Sequence, residues 1–277
     1  MKQAHGPMEM DRNLAKVRAA ARDVGKCILP VFETEEGSGG RRHVGSAFVI
    51  RAGDRAAFVT AAHVVDGPTR KTVVLSEAGK LQRWPARHGV LVPVGAGISD
   101  ADVAYMTGSF TEDTGALRTI TVDTIATNLT VQTDMSFVAI GYPGSRTRIM
   151  NGNQTLRPVT FTGISSPVSS DGFARLGLDP RVHLAMKYDA KKMIGPDGSK
   201  MEGPTLKGMS GGGLFVVVGN QGADGIELNL LLAGVLTEYR KSPHNVVIAT
   251  RLDCLLDAIS PQRPPAERTH IGADHPT

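Results

Sequence analysis

Short apolar runs rich in valine, isoleucine, leucine and alanine recur along the chain from residue 27 to residue 249. Glycine, proline and aspartate break these runs at close intervals, which is typical of sequential antiparallel strands. Residues 52–55 lie between two such runs and predict a hairpin turn. The pattern favours an all-β barrel or sandwich over an alternating α/β fold. The predicted strands are residues 27–32, 45–50, 57–60, 72–75, 137–140, 213–218, 228–232 and 246–249.

The two ends of the chain have a different pattern. Apolar residues recur at helical spacing in residues 10–24, with arginine and lysine between them, which predicts an amphipathic helix that packs on its own domain. Residues 252–260 have a similar spacing and predict a C-terminal helix. The proline-rich, polar residues 261–277 predict a disordered tail. Residues 191–207, rich in glycine, proline and lysine, predict a long loop.

Composition narrows the class of protein. The 277 residues, 41% of them hydrophobic, are enough for a packed core. The formal charge is only +4, from 31 basic and 27 acidic residues that are scattered along the chain, so we expect no nucleic-acid partner. No stretch approaches the roughly 20 apolar residues that cross a bilayer, and we expect no membrane association. Two distant cysteines and no secretory signal in residues 1–26 predict a cytoplasmic protein.

A glycine-rich turn around one serine suggests nucleophilic chemistry. Ser210 lies within residues 208–213, where glycines let the backbone turn tightly and let a substrate carbonyl approach the amides. Serine-based hydrolysis of an amide also needs a histidine base, a carboxylate and oxyanion donors. His63 follows an apolar strand and is a candidate base, although an isolated histidine there could equally be a core residue. Ser210 could also belong to a flexible loop or a phosphate-binding nest.

Three motifs together resemble those of one known family. Residues 60–63, Thr-Ala-Ala-His, resemble the histidine motif of chymotrypsin-like serine peptidases, and residues 208–212, Gly-Met-Ser-Gly-Gly, resemble their serine motif. Between them, residues 102–104, Asp-Val-Ala, match the short aspartate motif. The chain order His, Asp, Ser is also that of the family. With few cysteines and a methionine before the serine, the chain resembles bacterial, intracellular members.

The resemblance implies a role for each motif residue. His63 would be the general base and then the general acid, and Asp102 would hold its other ring nitrogen. Ser210 would attack the scissile carbonyl, with the Gly208 and Ser210 N–H groups as the oxyanion hole. Asp100 competes with Asp102 for the carboxylate role, but Asp102 precedes residues that can enter a strand, whereas Asp100 is typical of a turn.

The resemblance also implies a fold and its division. The family has two six-stranded antiparallel β-barrels with the triad in the cleft between them. The expected division is an N-terminal helical segment over 1–23, a first barrel over 24–120, a second barrel with a C-terminal helix over 121–260, and the tail over 261–277.

Two positions depart from the family pattern. Met209 stands where secreted members have an aspartate that pairs with a newly cleaved N-terminus, so activation by that route is not expected. Gly213 replaces a proline and should affect only the start of a strand. The pocket that selects the substrate side chain maps onto five residues and predicts a small or medium apolar P1 residue. They are Pro204, Thr237, Glu238, Tyr239 and Val247.

The sequence thus predicts a serine endopeptidase that acts on protein or peptide substrates through an acyl-enzyme. We expect no cofactor, and the histidines have no metal-ligand spacing, so we expect no metal. Such an enzyme needs regulation by a narrow substrate range, a gating protein partner, or a loop that orders on binding, for which residues 191–207 are the candidate. A catalytically silent or partner-gated peptide-binding scaffold and an esterase are the alternatives.

Overall fold

A computed structural model describes most of the chain. The described residues are 7–34, 41–53, 55–66, 71–75, 81–82, 89–90, 101–108, 118–145, 148–149, 156–157, 161–194, 199–222 and 225–252. The expected C-terminal helix and tail lie outside them except for residue 252, as do Cys254 and Asp100.

A helix and an eight-stranded sheet form the first half of the fold. Helix α1 (Pro7–Gly25) contains the helix expected over residues 10–24. The sheet has the strand order β5-β4-β1-β2-β3-β7-β6, and β8 pairs in parallel with β2. Its strands are β1 (Ile28–Thr34), β2 (Arg41–Ala52), β3 (Arg55–Thr60), β4 (Lys71–Leu75), β5 (Leu81–Gln82), β6 (Gly89–Val90), β7 (Ala104–Gly108) and β8 (Ile120–Thr121). A six-stranded barrel was expected here, and the difference comes from strands only two residues long.

A six-stranded antiparallel sheet forms the second half. Its order is β12-β9-β16-β17-β18-β13. A bridge between Pro167, just after β12, and Met186 of β13 joins the two edges of this sheet. The strands are β9 (Phe137–Gly141), β12 (Phe161–Ser165), β13 (His183–Lys187), β16 (Gly213–Gly222), β17 (Gly225–Arg240) and β18 (Val246–Arg251). Two small hairpins pair β10 (Arg148–Ile149) with β11 (Leu156–Arg157), and β14 (Met193–Ile194) with β15 (Lys200–Met201).

Alternating side chains divide the core. Ala47 and Val49 of β2 pack in a cluster that belongs to the first sheet, whereas Phe48 and Ile50 pack in a cluster shared by both sheets. This division follows because successive residues of a strand point to opposite faces. The shared cluster holds the halves together with residues from both sheets and α1, including Val17, Ala21, Val59, Val138, Ile140, Phe215, Leu232 and Val235.

Two short helices were not among the sequence predictions. Helix α2 (Ala62–Val65) follows β3, and helix α3 (Ser170–Leu176) lies between β12 and β13. The Ser169 side chain accepts a hydrogen bond from the Gly172 N–H at the start of α3, and Gly177, with φ +67°, ends it. Of the expected loop 191–207, the described part contains a 3-10 turn and the β14–β15 hairpin. None of the described helices is long and apolar enough to span a membrane.

Candidate active site

His63 and Asp102 meet at one end of the first sheet. His63 lies in α2, directly after β3, and Asp102 lies just before β7, the neighbour of β3 in the sheet. The Ala62 N–H donates to the Asp102 carbonyl at 3.3 Å, and the His63 N–H donates to Asp102 Oδ1 at 2.9 Å. The second carboxylate oxygen, Oδ2, is hydrogen-bonded to His63 Nδ1. Strand pairing therefore places the carboxylate so that it fixes the imidazole.

The contact with His63 favours the ionised form of the Asp102 carboxyl. Burial raises the pKa of the Asp102 carboxyl, but the hydrogen bonds from the His63 ring and backbone outweigh it, so the net pKa lies below the usual value. Asp102 is thus ionised at neutral pH and can stabilise a positive charge on His63. Because Nδ1 faces Asp102, Nε2 is the ring nitrogen left for proton transfer.

Ser210 lies on a tight turn that leads into β16. The Met209 N–H donates to the Leu206 carbonyl at 3.0 Å, which closes a turn around Gly208. Gly208 and Gly211 have φ of +92° and +85°, in the region that favours glycine. At Gly211 a Cβ would also lie 1.9 Å from the Ser46 carbonyl oxygen. The glycines that suggested a nucleophile turn in the sequence are therefore required by its backbone.

Two backbone donors on this turn are open. The Lys207 carbonyl accepts from the Gly144 N–H at 2.7 Å. Since the C=O and N–H of a trans peptide point in opposite directions, the Gly208 N–H points away from Gly144. Neither the Gly208 N–H nor the Ser210 N–H has an acceptor among the described residues. Two such donors are what an oxyanion hole requires.

Ser46 of β2 connects the first sheet to this turn. Its side chain is fully buried; the hydroxyl donates to the Gly208 carbonyl at 3.1 Å and accepts from the Tyr142 N–H at 3.0 Å. Its backbone N–H donates to the Ser210 carbonyl at 2.7 Å, and its own carbonyl accepts from the Thr60 hydroxyl at 2.7 Å. Ser46 therefore orients the two peptide groups that flank the open donors.

We expect Ser46→Ala to lower kcat about tenfold and to change KM by less than about twofold, because loss of the Gly208 contact misdirects a donor used mainly in the transition state. Steady-state kinetics on a cleaved peptide would measure the split. Ser166→Ala is the control, since the Ser166 hydroxyl makes no hydrogen bond in the part of the chain that the structure describes. A rise in KM with kcat unchanged would contradict this role.

Ser210 and His63 are not hydrogen-bonded to each other in this conformation. The Ser210 hydroxyl donates to the Thr237 carbonyl at 3.2 Å. A Cβ on Gly45 would lie 2.6 Å from the Val64 side chain and 2.9 Å from the Ser210 carbonyl oxygen. Strand β2 therefore packs at this point against helix α2, which contains His63, and against the turn that contains Ser210. Catalytic hydrogen bonds are often long or misaligned before substrate binds. A rotation of the Ser210 side chain would release the Thr237 carbonyl.

An open cleft of about 550 Å³ borders His63 and Asp102. It runs along the second sheet, and two of the five expected substrate-binding residues, Thr237 and Glu238, line it. The full lining is His63, Asp102, Gly177, Leu178, His183, Thr237, Glu238, Arg240 and Ile248.

The other three expected substrate-binding residues pack around a tyrosine instead. Tyr188 is buried, and its hydroxyl donates to the Pro204 carbonyl at 2.8 Å. Its ring meets that of Tyr239 edge-on, with centroids 5.3 Å apart, and Val247 is buried in the same cluster. Tyr188 therefore occupies space beside Pro204 in the expected pocket, a feature that no spacing in the sequence indicated.

His43 of β2 lies behind the glycine turn. A Cβ on Gly208 would lie 2.7 Å from His43 Cε1, and the ring meets Phe32 edge-on at 5.4 Å. Both ring nitrogens are buried and lack a hydrogen-bond partner among the described residues. Burial lowers the pKa of His43 to about 4, although the neighbouring Gly45 backbone opposes the shift.

This pKa predicts a loss of stability in acid. A histidine normally titrates near pH 6.5, so the unfolded chain binds the His43 proton more tightly than the fold does, and the free energy of unfolding falls as pH drops from about 6.5 to about 4. We expect His43→Leu to reduce this fall, by up to about 3 kcal/mol, in urea titrations at pH 7 and pH 4.5. The exposed His244 provides the control His244→Leu. Equal pH dependence in wild type and His43→Leu would contradict the assignment.

Ser46, His43 and Tyr188 were not candidates from the sequence. The signal available for Ser46 was a serine beside glycine inside an apolar strand, which also fits an ordinary strand position. Among the described residues no group of three or more histidine, cysteine or acidic side chains could hold a metal.

Comparisons with known proteins reveal similarity in structure alone. No protein-family model matches the chain, and no curated protein sequence matches it significantly. Among solved structures, human heparin binding protein is 14% identical with a TM-score of 0.52, over 87% of this chain and 93% of that one. Neuropsin, a serine protease expressed in the limbic system of mouse brain, is 12% identical with a TM-score of 0.50, over 84% and 92%.

The protease Anisep from Arthrobacter nicotinovorans also matches, at 13% identity and a TM-score of 0.48, over 84% of this chain and 93% of that chain. At such low identity the first two matches establish architecture alone. They agree with the two antiparallel sheets described above, and the chain has the two-barrel fold of the trypsin- and chymotrypsin-like serine proteases.

Proposed function

We propose that the protein is a serine endopeptidase with His63, Asp102 and Ser210 as its catalytic triad. The observation that carries the proposal is the double attachment of His63 to the Asp102 carboxylate, through both Nδ1 and the backbone N–H. The open Gly208 and Ser210 N–H groups support it as an oxyanion hole. The two-barrel fold by itself would not support a peptidase, because one protein of similar structure is named as a binding protein.

The proposed reaction gives each of these groups one role. Ser210 Oγ attacks the scissile carbonyl carbon while His63 Nε2 takes the hydroxyl proton, and Asp102 stabilises the resulting imidazolium. The Gly208 and Ser210 N–H groups receive the oxyanion. His63 then gives its proton to the leaving amine as the C–N bond breaks, which leaves an acyl-enzyme. His63 then takes a proton from a water molecule, whose oxygen attacks the ester carbonyl. It returns that proton to Ser210 Oγ as the bond between the acyl carbon and Oγ breaks and the acid product leaves.

Incubation of the full chain with a complex peptide mixture tests the proposal. Mass spectrometry would identify new peptide termini, which are expected with the wild type and not with Ser210→Ala. Equal termini in both samples would come from a contaminant and contradict the proposal. Turnover of activated esters without any peptide cleavage would favour an esterase instead.

A partner-gated or catalytically silent peptide-binding scaffold is the second candidate. The hydrogen bond from the Ser210 hydroxyl to the Thr237 carbonyl favours it, because that hydroxyl is not directed at the base in this conformation. Cleavage that appears only on adding a partner protein would support gating. The cytoplasmic location and the lack of nucleic-acid and membrane partners stay predictions.

A further inference from the structure

One wall of the cleft beside His63 contains an acidic side chain that is held in place. Glu238 lies on β17, one residue after Thr237, whose carbonyl accepts from the Ser210 hydroxyl. A group bound against Glu238 in this cleft therefore lies close to the atoms that would react. The Glu238 side chain is half exposed, so it is accessible from the cleft.

Arg240 fixes one oxygen of Glu238 and leaves the other open. Arg240 Nε donates to Glu238 Oε1 at 2.9 Å, and Arg240 Nη1 donates to the Leu176 carbonyl at 2.6 Å. The guanidinium is thereby anchored to the end of α3, with two of its donors occupied. Glu238 Oε2 has no partner among the described residues. Glu238 is thus ion-paired with Arg240 through Oε1, and its Oε2 remains as a positioned hydrogen-bond acceptor on the cleft wall.

The rest of the cleft complements a long cationic side chain. Leu178 and Ile248 give it an apolar lining that could pack on an aliphatic stem. His183 Nδ1 lies 3.1 Å from the Asp179 carbonyl oxygen and donates to it, because a carbonyl can only accept. In a neutral imidazole with the proton on Nδ1, Nε2 is a hydrogen-bond acceptor.

The charges facing the cleft favour a cation over an anion. Its ionisable lining groups are the carboxylates of Asp102 and Glu238, the guanidinium of Arg240 and the imidazoles of His63 and His183. An anionic side chain would be repelled by the carboxylates of Asp102 and Glu238. Arg240, the one arginine that the described lining contains, already donates hydrogen bonds to Glu238 and to the Leu176 carbonyl. A cationic side chain would instead donate hydrogen bonds to Oε2 of the Glu238 carboxylate.

We propose that this cleft is a substrate subsite that binds a lysine or arginine side chain close to the scissile bond, with Glu238 as its specificity-determining residue. The inference rests on the proposed function for its position in the substrate. This subsite differs from the pocket that the resemblance implies, where Tyr188 occupies space next to Pro204.

Binding to the Ser210→Ala protein tests the subsite without requiring turnover. The probes are neutral hexapeptides in which lysine, arginine, glutamine or glutamate replaces one position at a time, and the readout is Kd by calorimetry. We expect lysine or arginine at one position to bind about tenfold more tightly than glutamine there, and glutamate to bind more weakly still. Adding Glu238→Gln should remove this preference, whereas Glu227→Gln, on the exposed part of the same strand, should keep it.

The outcomes separate this inference from the proposed function. Equal Kd values for lysine and glutamine at every position, or a lysine preference that survives Glu238→Gln, would overturn the subsite. Intact-mass detection of a fluorophosphonate adduct on the wild type tests the activated serine independently. A lysine preference without an adduct would support the subsite in a binding scaffold, and an adduct without a preference would leave a peptidase whose specificity lies elsewhere.

Discussion

Replacement of Asp102 by asparagine is expected to lower kcat by about 10⁴ while the protein stays folded. The His63 N–H donates to Asp102 Oδ1 and would select the carbonyl oxygen of the new side chain. The amide NH₂ would then face His63 Nδ1, and two donors cannot share that contact. The imidazole would be forced to carry its proton on Nε2, where it cannot accept one from Ser210.

Steady-state kinetics and thermal unfolding of Asp102→Asn would be compared with Asp134→Asn. Asp134 is exposed and does not line the cleft beside His63, so its variant should retain wild-type kcat. A kcat within tenfold of wild type for Asp102→Asn would contradict the assigned role.

Gly211→Ala is expected to lower the free energy of unfolding by about 3 kcal/mol or more, or to prevent folding. The new Cβ would lie 1.9 Å from the Ser46 carbonyl oxygen and 2.2 Å from Thr60 Oγ1, at a φ of +85°. Relief of either overlap would move the turn that contains Ser210 away from β2.

Gly53→Ala separates steric overlap from backbone strain. Gly53 has φ +61°, and a Cβ added there would have no neighbouring atom within 4 Å, so only the cost of the left-handed backbone remains, about 1 kcal/mol. Urea titration of both variants would measure the difference. A similar free-energy loss in the two would mean that contact with Ser46 and Thr60 does not constrain the turn.

Local patterns in the sequence predicted the strands well where both faces are buried. Residues 57–60 and 246–249 fall within β3 and β18, because continuous apolar runs between turn residues suit buried strands. Helix α3 was missed because its seven residues are too short for a helical period to stand out. The first sheet has eight strands where the resemblance implied six, and its two-residue strands leave no hydrophobic pattern from which the sequence could have predicted them.

The site was predictable only as far as its motifs are local. Glycines around Ser210 and a histidine after a strand are visible along the chain, whereas the contacts that orient them are between distant segments. The Ser46 hydroxyl donates to the Gly208 carbonyl, 162 residues away in the sequence, and the Tyr188 hydroxyl donates to the Pro204 carbonyl, 16 residues away. Such contacts depend on how the two sheets pack together, which no local spacing encodes.

Intact-mass measurement after treatment with a fluorophosphonate probe tests the central claim, an activated Ser210, most directly. The probe forms a stable adduct only with a serine whose proton a neighbouring base can take. We expect one adduct on the wild type and none on Ser210→Ala or His63→Ala. A wild-type protein that stays unlabelled, or an adduct that persists on Ser210→Ala, would contradict an activated Ser210.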